Sequence, residues 1–262
     1  MSAPIIFDRK AYAARRLKAD RAGGDSFLLS QACDNLVERL SSVRRRFHHA
    51  LDLGSRRASF ATLSPLADHW VRTSSAPGEE GVSIVADEEF LPFAPHSFDL
   101  VTSVLVLHAV NDLPGVLIQI RRVLAPDGLF LAALFGGATL HELRRAFAAG
   151  EAEVTGGASP RVAPFGDVRD MGALLQRAGF AMPVSDVERV PARYRAFTTL
   201  AGDLRVLGET NVLAERRRSP LSRRILAAAL ASYAAQDSDE DGRLAATFDI
   251  VYVTGWGGNE DR

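Results

Sequence analysis

The chain has one cysteine, two lysines and two tryptophans in 262 residues, and no apolar run as long as a membrane span. Each scarcity excludes something. A lone Cys33 rules out an internal disulfide framework and any multi-cysteine zinc or iron–sulfur site. A membrane helix needs about 20 consecutive apolar residues. Residues 225–235, rich in Ala and Leu, fall short of that and read as a packed helix. Residues 1–10 lack the charged-then-apolar pattern of a signal peptide, so the expected compartment is a reducing cytoplasm. The formal net charge of -1 gives no reason to expect nucleic acid or anionic membrane as the main partner. Six histidines show no metal-ligand spacing, and the neighbours His48 and His49 point to opposite faces of a strand, so no metal site is expected.

What the chain has in quantity is arginine and alanine, a usage that reads as a high-GC bacterial coding bias. The runs at 44–46 and 216–218 are then solvated charge, or a dock for an acidic protein surface. Hydrophobic residues make up 47% of the chain, enough for a sizeable α/β core.

Two helices are expected first, over 8–20 and 25–43; in the second, Phe27, Leu28, Cys33, Leu36, Val37 and Leu40 recur at helical spacing, which makes Cys33 a core residue. Strand-like segments follow at 48–53, 69–73, 82–86, 98–105, 128–135, 183–190 and 247–254, with helical stretches between them. That alternation predicts a parallel sheet covered on both faces. Pro126-Asp127-Gly128 reads as a tight turn into the continuous apolar run 129–135, and 248–256 alternates as a final antiparallel strand would. The expected organisation is an N-terminal helical segment over 1–46 and a larger domain over 47–262, with a helical insertion at about 191–246.

Ligands of open α/β sheets bind at the carboxyl ends of the strands. The first such end, Asp52-Leu53-Gly54-Ser55-Arg56-Arg57-Ala58, opens like a nucleotide-binding turn. The pattern Asp-x-Gly-x-Gly-x-Gly then fails, because Arg56 and Ala58 stand where glycines would let a ligand approach the backbone. Arg56 either replaces the lost contact with a charge or blocks entry. After the second strand, 70–75 offers no carboxylate for a ribose diol. After the third comes Ala86-Asp87-Glu88-Glu89-Phe90, where Asp87 could accept from an exocyclic amine with Glu88 or Glu89 beside it, or the acids are simply surface. His108, after the fourth strand, is a candidate proton acceptor or orienting group; the plainer reading is a satisfied histidine between helix and sheet. Asn111 or Asp112 is the expected cap of a helix over 113–124.

This order of motifs resembles the class I S-adenosylmethionine-dependent methyltransferases. The stretches 50–54, 86–93, 107–114, 126–128, 135–144 and 177–180 are similar to the respiratory complex I assembly factor 5 group with its alphaproteobacterial relatives, and less so to the malonyl-carrier-protein methyltransferase of biotin synthesis. The resemblance implies a Rossmann-like seven-stranded sheet with an S-adenosylmethionine pocket over the first four strand ends. It implies cofactor contacts from Asp52, Gly54, Ser55, Asp87, Glu88 and Ser103, with the loop 135–144 on the substrate side. It also implies a protein partner in the respiratory NADH dehydrogenase. Three functions follow as expectations: a methyltransferase acting on such a partner, a non-catalytic assembly scaffold, or an arginine hydroxylase as in the assembly-factor group. His108 or His141 would at most position an acceptor, since a sulfonium methyl is already activated and needs mainly alignment and desolvation.

Overall fold

A computed structural model describes residues 4–258, so Met1–Ala3, which head the amino-terminal reading, and residues 259–262 lie outside the described residues. Seven strands form one sheet in the order β3-β2-β1-β4-β5-β7-β6. β1 (Phe47–Leu53), β2 (Ala67–Ser74), β3 (Ile84–Val85), β4 (Phe98–Val104) and β5 (Leu124–Phe135) pair in parallel. β7 (Leu244–Gly257) runs antiparallel to both β5 and β6 (Phe180–Tyr194). The sheet is thus the seven-stranded α/β arrangement expected, including its antiparallel last strand.

Two apolar layers form because successive strand residues face opposite ways. Leu129, Leu131, Ala133 and Phe135 of β5 pack with α2 (Phe27–Ser41), α5 (His141–Thr155) and α8 (Arg223–Asp237) on one face. Phe130, Ala132 and Leu134 pack with α4 (Leu113–Val123) and α6 (Val168–Arg177) on the other. Cys33 is buried in the first layer. The helices α7 (Phe197–Leu207) and α8 lie between β6 and β7.

Boundaries differ from the sequence reading where tertiary pairing overrides local signals. β5 starts at Leu124, so Pro126-Asp127-Gly128 is a bulge inside the strand: Phe98 pairs with Leu124 but Leu100 with Leu129, and Asp127 adopts φ 55°. The edge strand β3 keeps only two residues. Asp112 caps α4 by accepting from the Gly115 amide, while Asn111 accepts from the Ile6 and Phe7 amides and ties the amino-terminal segment to the end of β4. Among the described residues, no helix is long and apolar enough to cross a membrane.

What positions the site is α1 (Arg9–Ala22), started by Asp8, whose carboxylate accepts from the Ala11 amide. Its buried stripe is Tyr12, Arg16 and Ala19, at helical spacing, and this stripe lies across the carboxyl ends of β1 and β4. An arginine on a buried stripe must find partners there, and those partners are the strand ends themselves.

Candidate functional site

Two neighbouring regions occupy the carboxyl edge of the sheet. The first is a cradle formed by the turn after β1. Gly54 adopts φ 71°, a conformation that a side chain would strain, which is why glycine is retained there. Arg56 is at φ -70° and Ala58 sits within the short helix α3 (Arg57–Leu63), so neither position needs glycine for its backbone. Gly54 therefore serves the fold, whereas glycines at 56 and 58 would have served only close approach of a ligand.

The chain's own charges fill the cradle. The Arg72 guanidinium, from β2, lies 3.5 Å from the Asp52 carboxylate, donates to the Ser55 carbonyl at 3.2 Å and stacks 4.4 Å over the Phe60 ring. Arg16 donates to the carbonyls of Gly54 and Leu105 at 2.8 and 3.0 Å and to the Tyr12 hydroxyl at 3.0 Å. Arg9 bonds Glu88, donates to Asp87 at 3.0 Å and to the Ala109 carbonyl at 2.9 Å. Ser55 Oγ accepts from the Val104 amide and Ser103 Oγ donates to the Leu53 carbonyl, so both hydroxyls stitch β1 to β4. Arg56 is buried, bonding the Val206 carbonyl with its Nε 3.5 Å from Asp20.

Burial decides how these groups titrate. Asp52 is wholly buried, which pushes its carboxyl up to about 6 against the opposing effect of Ser55 and Arg72. Burial also raises Glu88, with Arg9 opposing. Arg16 is buried too, yet Tyr12, Glu209 and Glu88 hold its guanidinium more firmly protonated than usual. Sequence reasoning named Asp52, Gly54, Ser55, Asp87, Glu88 and Ser103, which lie at this edge, but missed Arg9, Arg16, Arg72 and Glu79. Glu79, on the loop after β2, accepts from the Ser74 hydroxyl at 2.6 Å and supplies an acid at the end of β2 that the strand itself lacks.

Over Gly54 the geometry is tight. A Cβ built there would meet Glu88 Oε1 at 2.5 Å and Val106 at 3.0 Å, so the face that a nucleoside would cover is already covered by protein. One carboxylate oxygen of Asp52 is left buried without a hydrogen-bond partner. The acids at this edge and the unpartnered Asp52 oxygen suit the hydroxyls and amine of an adenosyl ligand, with Arg72 and Glu88 lying over Asp52 and Gly54.

The second region is a cavity of about 210 Å³ beyond the end of β4. It is lined by Phe135, Phe165, Phe248, Leu143, His108 and Glu209, among others. His108, on a single turn of 3-10 helix (Leu107–Ala109), is wedged between rings, 4.9 Å from Phe135 and 5.5 Å from Phe165. Its Nδ1 accepts from the Phe135 amide at 3.4 Å, and its Nε2 lies 3.2 Å from Glu209 Oε2 without completing a hydrogen bond. Glu209 follows α7, and nothing in its local sequence links it to His108. His141 is half exposed at the head of α5, within reach of the Ala138 carbonyl and Glu142, and lies outside this pair.

Comparison with known proteins agrees with this fold. Residues 47–132 match the family described as "Methyltransferase domain". The human protein "Arginine-hydroxylase NDUFAF5, mitochondrial" is 39% identical over 268 residues, covering 96% of this chain and 76% of that protein. The "Malonyl-[acyl-carrier protein] O-methyltransferase" of Halorhodospira halophila is 35% identical over 255 residues, covering 91% of this chain and 84% of that protein. The solved structure of the YcgJ protein from Bacillus superposes with a TM-score of 0.60 at 14% identity, over 86% of this chain and 99% of that one, a likeness of fold. Sheet order, the Asp52–Gly54 turn and these identities together show that the chain belongs to the class I S-adenosylmethionine-dependent methyltransferase family, alongside the arginine-hydroxylase NDUFAF5 proteins.

Proposed function

We propose that this chain acts on a protein partner in the assembly of the respiratory NADH dehydrogenase, modifying an arginine-bearing segment at the cavity beside His108. The carrying observation is the division of the sheet edge: the cavity at His108 and Glu209 is open, while the cradle that would hold the family's cofactor is closed by Arg72 and Glu88. The relatives named arginine hydroxylases, matched over nearly the whole chain, support the choice of partner and residue.

S-adenosylmethionine, when bound, supplies an activated methyl group and an adenosyl anchor. On this reading Asp52, Gly54, Ser55, Asp87, Glu88 and Ser103 would hold that anchor. Binding then requires the ion pairs to part first, and affinity falls by the fraction of molecules in which they have parted. A scaffold that holds its partner without modifying it is the second reading, favoured by the same closed cradle. The single buried Cys33 agrees with a cytoplasmic site of action.

Mass spectrometry of the dehydrogenase subunits, from cells with and without this chain, tests the proposal. Loss of a one-oxygen increment on an arginine upholds modification of the hydroxylase type, and loss of a methyl increment upholds transfer. Stalled assembly with every subunit mass unchanged leaves the scaffold. Normal assembly and unchanged masses overturn both readings.

A further inference from the structure

The cavity walls have an unmet demand. Glu209 Oε1 is buried with no hydrogen-bond partner, although a buried carboxylate oxygen ordinarily has one. The other oxygen lies 3.2 Å from His108 Nε2, which also has no hydrogen-bond partner; the His108 side chain is only 1% exposed and is set by the Phe135 amide and two rings. Arg16 is the nearest buried cation in influence, but it donates to the Gly54 and Leu105 carbonyls and to Tyr12, with no hydrogen bond to Glu209. The two cations on the cavity wall do not meet the demand either. Arg161 is paired with Glu151, and Arg205 is exposed at the rim.

Glu209 Oε1 therefore lacks a donor, and the chemistry around it favours a positive one. Phe135, Phe165 and Phe248 line the cavity, and ring faces attract cations. A planar guanidinium combines several donors with the ability to stack on such faces, whereas an ammonium is a compact, strongly hydrated charge. We infer that Glu209, beside His108, is the specificity-determining acceptor for a guanidinium side chain entering this cavity on an apolar stem. The inference rests on the reading that this edge receives a protein partner, and it assigns the residue that reads the incoming charge.

Its test is binding of Nα-acetyl-arginine methylamide to the full chain by calorimetry, beside the neutral citrulline counterpart and the anionic Nα-acetyl-glutamate methylamide. The arginine compound is expected to bind at least about tenfold tighter than citrulline. Glu209→Gln is expected to bring that ratio near one, and Glu209→Asp to keep it above one, each at a melting temperature that shows a folded protein. Equal affinity for arginine and citrulline, tighter binding of the glutamate compound, or no binding of any up to about 10 mM overturns the inference. Activity is not part of the readout. A chain that selects arginine but leaves every dehydrogenase subunit unmodified keeps this inference and loses the proposed function.

Discussion

The cradle over β1 and β2 and the cavity beyond β4 sit on one sheet edge, yet they are built from opposite materials. The cradle is a packed set of charges, mostly buried, with Arg9 against Asp87 and Glu88, Arg72 against Asp52, and Arg16 on backbone carbonyls. The cavity is walled by rings around a single acid and its histidine. Charges close a space because each must be met by an opposite partner or a carbonyl once water is gone. Rings leave a space because their shapes need not interlock. The comparison teaches that a turn without glycines at 56 and 58 is filled from within the chain, with one Asp52 oxygen left unpartnered.

The largest effect is expected where a charge pair in the cradle is broken from one side. Arg72→Met leaves Asp52 buried beside no guanidinium, and breaking a buried pair in this way costs about 3–5 kcal/mol. Thermal melting should fall by roughly 10 °C for a chain of this size. Adding Asp52→Asn should restore most of it, since the uncompensated charge is then gone. If Arg72→Met alone melts like the parent, the cradle is not a closed ionic core and the contrast with the cavity fails.

Gly54→Ala sharpens the same contrast at a smaller scale. The new Cβ meets Glu88 at a φ of 71°, and strain of this kind costs about 1–3 kcal/mol. Urea melts of Gly54→Ala should therefore shift to a lower midpoint. An unshifted midpoint would contradict the assignment of Gly54 to the fold.

The smallest expected effect is in pH. Asp52 is raised from the usual carboxylate range to about 6, so between pH 4 and 6 the folded chain binds a proton that the unfolded chain has released. Stability contributed by that proton is complete at the acid end and is lost as pH rises through 6. Melting temperatures of the parent relative to Asp52→Asn should fall across that window. A flat difference would mean that Asp52 is solvated and the cradle open.

Much of the fold was legible because it rests on periodicity. The apolar run 129–135 and the alternation over 248–256 announce a strand buried on both faces and a closing strand, and both are found. Pro126-Asp127-Gly128 misled as a boundary, since a bulge and a turn share the same residues and only pairing with Phe98 separates them. At the site, Asp52 and Gly54 were readable because turn chemistry is local. Arg16 had a faint signal in its place with Tyr12 and Ala19 on one helix stripe, hidden by the abundance of arginine elsewhere. Glu209 had none, because it meets His108 only through the folding of α7 against the sheet.

Titration of the whole chain with S-adenosylmethionine by calorimetry, repeated with S-adenosylhomocysteine, tests the central claim most directly. A cradle held shut by Arg72, Glu88 and their partners predicts weak binding, with a dissociation constant of about a millimolar. A micromolar constant for either compound would show that the cradle stands open in solution, and would contradict the account.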